Sequence, residues 1–231
     1  MALYAVRVNE PKGTGERPGT GKKEIFRQKA GSPRKAGEGG VPRFLGKNMI
    51  DLLNLHKAFI KEHLREGDVC CDFTMGNGYD TVFLSQTVGE KGRVYAFDVQ
   101  EQAVEATRKR LAESGCPENY TLIRDSHHRA KEYVHEKIKA GMFNLGWLPG
   151  SDRSVFTLRE TTLKAVEAAI GLMDRDAVIT VAVYPGHEEG DAEGRLLEEY
   201  FAGLSRFEVC VTKIKIVNSP AAPYFFLIEN K

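Results

Sequence analysis

No stretch of this 231-residue chain approaches the roughly 20 consecutive apolar residues that a membrane-spanning helix requires. The first residues hold only a short apolar stretch, Leu3–Val8, with no long hydrophobic region and no small-residue cleavage site. Together these absences point away from a secreted or membrane protein and toward the cytoplasm. Cysteine is scarce too: Cys70, Cys71, Cys116 and Cys210 form no C-x-x-C pair. Cys70 and Cys71 are neighbours on a strand-like run, where adjacent side chains point to opposite faces and cannot grip one ion. Zinc is therefore unsupported, no metal site is expected, and the thiols read as reduced packing residues.

Net charge of one sign is also missing, since the chain totals +1. The charge is unevenly placed, however. Residues 1–43 hold ten Lys/Arg against four Glu, so that segment carries +6 and the remainder −5. Any attraction to nucleic acid must come from a local patch or from this arm, not from the whole surface. Rich in Gly, Lys, Arg and Pro and without periodicity beyond Val8, residues 1–43 read as a disordered basic arm, with 44–231 as the domain. Gly19-Thr20-Gly21-Lys22-Lys23 superficially suggests a phosphate loop. It has neither the Ser/Thr after the lysine nor the upstream glycine spacing. The arm could contact RNA; a solvated segment or a misassigned start accounts for it equally well.

What the rest contains is alternating helix and strand patterning. Apolar residues from Met49 to Leu64 recur at helical spacing, with Asn48 placed to cap. Strands are expected at Asp68–Phe73, Gly92–Phe97, Tyr120–Arg124, Gly141–Leu145 and Ala177–Tyr184. Helices are expected around Asp80–Thr87, Glu101–Ser114, His128–Lys139, Leu158–Met173 and Arg195–Leu204. Phe207–Val217 and Tyr224–Glu229 follow with too few residues between them for a parallel crossover, so they must run antiparallel. The expected fold is α/β: a Rossmann-like, mostly parallel sheet with one reversed C-terminal strand and helices on both faces.

Two loops at strand ends carry the chemistry. After the first strand, Thr74-Met75-Gly76-Asn77-Gly78 supplies glycines whose missing Cβ atoms permit a tight turn and close ligand approach. After the second, Asp98 stands where a carboxylate can accept hydrogen bonds from a ribose diol. The dinucleotide pattern G-x-G-x-x-G would need a small residue at Thr81, and a methyl donor needs no pyrophosphate site. Loop and acid together favour S-adenosylmethionine over a nicotinamide cofactor, although the glycines alone could be only a turn. Asp125 and Ser126 are placed to read an adenine or, alternatively, to cap the following helix.

The fourth strand ends in Phe143-Asn144-Leu145-Gly146-Trp147-Leu148-Pro149-Gly150, at the sheet edge where ligands collect. An Asn followed by constrained backbone carbonyls can accept hydrogen bonds from an amine and aim its lone pair at a methyl donor. Amino-methylating enzymes use a similar (Asn/Asp)-Pro-Pro-aromatic loop. Trp147 could stack on a base or cover the core. His127, His128 and His187, the last within Tyr184-Pro185-Gly186-His187, are candidates for accepting the amine's proton, or are structural. His56, His63 and His135, placed on helices, are assigned no role.

The strings Asp72–Thr81, Tyr95–Gln100, Phe143–Gly150 and Val183–His187, with the Pro-containing terminal hairpin, are similar to the YtqB/MnmM family of class I methyltransferases. That family was first labelled rRNA methylases and is associated with tRNA wobble-uridine modification. The resemblance runs from about Asn48 to the C-terminus. It implies methyl transfer from S-adenosylmethionine to the exocyclic amine of 5-aminomethyl-(2-thio)uridine in the tRNA anticodon stem-loop, giving 5-methylaminomethyluridine. It further implies that Thr74, Gly76, Asn77, Gly78, Asp80, Asp98, Gln100, Ser126 and His127 line the cofactor. Asn144, Leu145 and Gly146 would hold the amine, and Tyr184 and His187 would border the RNA. The long basic arm and the apolar turn Asn218–Pro223 depart from the family pattern. Ribosomal RNA or a small amine as substrate, a nicotinamide oxidoreductase and a non-catalytic RNA-binding module are the rivals. Oligomeric state is open, a homodimer being compatible.

Overall fold

A computed structural model describes residues 51–146 and 159–231. The basic arm, Asn48, Trp147 and Leu148-Pro149-Gly150 lie outside the described residues.

Among the described residues, seven strands form one sheet: β1 (Val69–Asp72), β2 (Arg93–Asp98), β3 (Tyr120–Arg124), β4 (Ile138–Asn144), β5 (Met173–Val183), β6 (Val209–Ile214) and β7 (Tyr224–Asn230). Their order is β3-β2-β1-β4-β5-β7-β6. β1 pairs in parallel with β2 and β4, and β7 is antiparallel to both β5 and β6. The expected α/β class and reversed C-terminal strand are both present. The order reverses at β1, with β2 on one side and β4 on the other, and at this switch point the carboxyl ends of the strands leave a crevice.

Among the described residues the α-helices are α1 (Leu52–His63), α2 (Tyr79–Val88), α3 (Glu101–Glu113), α4 (Ala130–Tyr133), α5 (Arg159–Leu172) and α6 (Glu188–Ala202). Strand alternation sends Cys71, Phe73, Phe143 and Ile179 to the face covered by α4, α5 and α6. Cys70, Met142, Val178 and Ala182 pack on the other face, against Leu52 and Ile60 of α1 and Leu84 and Val88 of α2. The adjacent cysteines thus face opposite layers, as the strand period requires. Phe73 stacks on Phe143 with centroids 4.3 Å apart and also on Phe97 at 6.2 Å. Each such buried ring contributes about 1.5–3 kcal/mol of transfer free energy, and together they hold the ends of β1, β2 and β4 in register.

Four expectations need correcting. Asp51, not Asn48, caps α1, its carboxylate accepting from the Leu53 amide. The helix expected over His128–Lys139 is only a 3-10 turn at His127–Arg129 followed by the single turn of α4. β4 starts at Ile138 because Ile138–Asn144 pairs with β5 while Ala140–Met142 also pairs with β1, and that ladder outcompetes local helix propensity. β5 is longer than Ala177–Tyr184, beginning at Met173. α6 begins seven residues before Arg195, at Glu188, with acidic residues in its first turn complementing the helix dipole. Glycines 190 and 194, which obscure that helix in the sequence, are there for space. A Cβ would come within 2.2 Å of the Tyr184 carbonyl oxygen at the first and 2.0 Å of the Tyr224 hydroxyl at the second.

Candidate active site

The loop between β1 and α2 turns through two left-handed glycines, Gly76 (φ 50°) and Gly78 (φ 80°). At Gly78 the need is steric as well, since a Cβ would lie 2.9 Å from the Thr107 Cα on α3. Thr107 closes the contact by donating its hydroxyl to the Gly76 carbonyl at 3.0 Å. Arg110, one turn on, donates to the Asn77 carbonyl at 2.6 Å and stacks its guanidinium 3.7 Å from the Tyr79 ring centre. The loop is thus held from outside by α3.

Asp98, at the end of β2, accepts from the Gly76 amide at 3.1 Å and from the Gln100 amide at 2.9 Å. One carboxylate therefore joins the two expected cofactor loops. Burial raises its pKa above the ordinary carboxylate range, although backbone donors from Gln100, Gly76 and Val99 oppose the shift. An ionised carboxylate offers about four acceptor sites, so beside three backbone donors it keeps capacity for a ribose hydroxyl. Gln100 contributes its backbone amide here; its side-chain carbonyl accepts from Gln102 at 2.9 Å.

Thr81 resolves the missing third glycine. Its hydroxyl donates at 2.6 Å to Asp72, which also accepts from the Thr74 amide at 3.1 Å. Thr81 is fully buried, and α2 is clasped to β1 by a hydrogen bond in place of the close glycine packing of dinucleotide folds. Desolvation, with Asp80 nearby, pushes Asp72 up to about 7.

A second group of contacts surrounds Asn144. Its backbone amide donates to the Thr74 hydroxyl at 2.7 Å. Its side-chain amide donates to Asp80 in a short hydrogen bond, and the Tyr184 hydroxyl reaches its amide oxygen at 3.5 Å. Asp80 in turn pairs with Lys57 of α1 at 2.6 Å. Leu145 is buried, its amide bonded to the Ala182 carbonyl at 3.0 Å, and Gly146 follows with φ 133°. Thr74, Asp80, Asn144 and Tyr184 are thereby brought into one contact chain, and Gly76, Asp98 and Gln100 into another.

The remaining candidates sit differently. His127 is buried, its Nδ1 lying 3.0 Å from the Phe73 carbonyl, and burial depresses its pKa to about 4. That ring is a neutral donor bracing the loop after β1. The Ser126 hydroxyl bonds His128, and its amide donates to Asp125. Asp125 itself is engaged by Tyr133 and Arg129, each at 2.6 Å, the tyrosine hydrogen bond lowering its pKa. Ser126 stands at the N-cap position of the 3-10 turn without a side-chain capping hydrogen bond. His187 caps α6, its Nδ1 accepting from the Gly190 amide at 3.0 Å. With Nδ1 accepting, the neutral ring carries its proton on Nε2, so neither nitrogen is placed to take up the amine's proton, against the sequence expectation. Trp147 lies outside the described residues. Lys57, Thr81, Thr107 and Arg110 were missed from sequence; the helical i, i+3 spacing of the last two is the one local signal that could have found them.

The model of the family described as "Putative rRNA methylase" matches residues 94–229. The chain belongs to this rRNA methylase family. An Arabidopsis thaliana relative, named tRNA (mnm(5)s(2)U34)-methyltransferase, chloroplastic, is 34% identical over 183 residues, 72% of this family member and 66% of the plant protein. The chain thus spans just under two thirds of that relative's length. A solved structure of a "putative rRNA-methylase" from Clostridium thermocellum is 36% identical with a TM-score of 0.78, covering 80% of this rRNA methylase-family chain and 100% of the other. A Streptococcus mutans "putative methyltransferase" in complex with SAH is 34% identical, TM-score 0.72, with the same coverage. The sheet order, the switch-point crevice and these likenesses make the fold that of a class I methyltransferase.

Proposed function

We propose that this chain is an S-adenosylmethionine-dependent N-methyltransferase acting on the exocyclic amine of 5-aminomethyl-(2-thio)uridine at the tRNA wobble position. The observation that carries the reading is the pairing of two constellations at one sheet end. One is Asp98 bridging the Gly76 and Gln100 amides; the other is Asn144 held by Thr74 and Asp80. The first fits an adenosyl group, because two left-handed glycines turn the chain tightly beside the β2 end and Asp98 offers acceptors to a diol. The name of the plant relative and the SAH in the Streptococcus structure support the cofactor and the RNA class.

When bound, S-adenosylmethionine supplies an electrophilic methyl group. The protein's part is positioning. Asp98, Gly76 and Gly78 hold the adenosyl end, with Thr74, Asn77, Asp80, Gln100, Ser126 and His127 around it. Asn144 Oδ1 and the Leu145–Gly146 backbone accept the amine hydrogens and direct the nitrogen lone pair. Tyr184, Trp147 and His187 border the nucleotide. The domain in this reading is 44–231, and the basic segment 1–43 adds attraction for the anticodon stem-loop. Its compartment is the cytoplasm, where a reducing milieu suits the free thiols; the plant relative's name places that protein in the chloroplast. A homodimer is compatible with the reading.

The test is mass spectrometry of tRNA nucleosides from cells without the protein, before and after incubation with it. The expected outcome is an unmethylated aminomethyl nucleoside that the enzyme converts. The Asn144→Ala variant should keep cofactor affinity and lose about a hundredfold or more in turnover. Wild-type turnover by that variant would remove the amine-orienting role. The family's description favours ribosomal RNA as a second reading, and the same digestion applied to rRNA distinguishes the two.

A further inference from the structure

Lys57 belongs to α1, an element outside the sheet-end loops from which the site was read. We infer that Lys57 is a positioning residue for methyl transfer, holding Asp80 so that Asn144 presents its amide oxygen, and not its NH2 group, to the incoming amine. This rests on the amine-orienting role of Asn144 proposed above.

The contacts form one line. Lys57 Nζ lies 2.6 Å from Asp80 Oδ1, both side chains being largely shielded, with 27% and 12% exposure. Asp80 Oδ2 accepts from Asn144 Nδ2. A carboxylate paired with an ammonium offers only acceptors, so it dictates which end of the asparagine amide turns toward it. Oδ1 must then face the other way, where the Tyr184 hydroxyl stands at 3.5 Å. That separation is long for an O–H···O bond, so the oxygen keeps capacity for an amine hydrogen. Without its anchor, Asp80 can turn away and the amide can rotate, placing two N–H donors against a nitrogen whose lone pair must stay free.

The lysine is held in its turn. Leu52 and Ile60 of α1 are buried in the layer that contains Val178, Ala182 and Phe225. The ammonium also lies 5.5 Å from the centre of the Phe83 ring on α2. Its charge has a second consequence. An unbalanced carboxylate beside the substrate would favour the protonated amine, which cannot attack. Lys57 offsets Asp80, so the amine loses its proton at lower pH than it would beside Asp80 alone.

The experiment compares the full-length wild type with Lys57→Met, Lys57→Arg, Asn144→Ala and the Lys57→Met/Asn144→Ala double variant. The substrate is tRNA from cells lacking the protein, and turnover is followed against pH and cofactor concentration. Lys57→Met should lower kcat about ten- to hundredfold while KM for S-adenosylmethionine changes by less than about twofold. Its pH–rate profile should move to higher pH, and Lys57→Arg should restore most of the rate. In the Asn144→Ala background the lysine change should have little further effect. Wild-type turnover in Lys57→Met, an unshifted profile, or full additivity in the double variant overturns the inference while leaving the Asn144 reading intact. Wild-type turnover in Asn144→Ala overturns that reading first, and this one with it. Should Lys57→Met fail to fold, Lys57→Gln takes its place with the same outcomes.

Discussion

Asp72 carries a cost that its neighbours at the end of β1 do not. It is buried, its oxygens are taken by Thr81 and the Thr74 amide, and its pKa is pushed up to about 7. In the unfolded chain it ionises near the ordinary value of about 3.9. Between those two values the folded state holds a proton that the unfolded state has released, so this residue's contribution falls as pH rises and reaches its minimum above about 7. Asp72→Asn removes the titration, and the Thr81 hydroxyl can reverse its role to accept. The variant should therefore gain on the wild type between pH 5 and pH 8, by about 3–6 °C in Tm at the upper end. Thermal melts across that range check it; a difference that does not change with pH would refute the assignment. The sequence placed Asp72 correctly at the strand end and read Thr81 only as a misfit to a glycine pattern. Nothing in the spacing of nine residues announces a hydrogen bond, because the helix geometry that closes it comes from packing of α2 on the sheet.

At the scale of elements, α1 holds one buried residue to which its sequence reading gave no part. Its apolar period was legible, but His56 was left without a role. The structure buries it against Phe225, centroids 6.0 Å apart, with no hydrogen-bond partner for Nδ1, and burial lowers its pKa to about 4. Below about pH 6.5 the unfolded state takes up a proton that the folded state refuses until about 4, so stability is lost as pH falls through that window. His56→Leu is similar in volume and leaves no buried polar atom unpaired. Its Tm should rise by about 2–5 °C at pH 7 and by more at pH 5. A variant less stable than wild type at pH 5 would show that the imidazole has a favourable contact in solution. The misplaced helix at 128–139 teaches the converse lesson. Its charged, helix-tolerant pattern is real, yet Ile138 and Ala140 enter the centre of a parallel ladder and leave α4 one turn.

For the whole molecule, the consequence of the crevice is linkage between cofactor and folding. A ligand that binds only the native state adds RT ln(1 + [L]/Kd), about 2.7 kcal/mol at a hundredfold excess over Kd. For a domain of this size that corresponds to a Tm increase of about 5–10 °C with S-adenosylmethionine. Asp98→Ala should abolish both the increase and the calorimetric binding signal. A variant still stabilised to the wild-type extent would show that the β2 carboxylate does not hold the ribose.

The strand–helix alternation, the reversed last strand, the glycine turn, Asp98 and the Asn144 loop were all decided by sequence, because hydrophobic period and turn chemistry are local and act wherever the chain lies. The length of β4, the Thr81–Asp72 clasp, the bracing of the first loop by Thr107 and Arg110, and the chain from Lys57 through Asp80 to Asn144 were decided only by the tertiary structure. These depend on side chains 9 to 64 residues apart that meet once both layers close on the sheet. Local propensity carries no information about such meetings, and burial, which sets the pKa values of Asp72, His56 and His127, exists only after they have occurred.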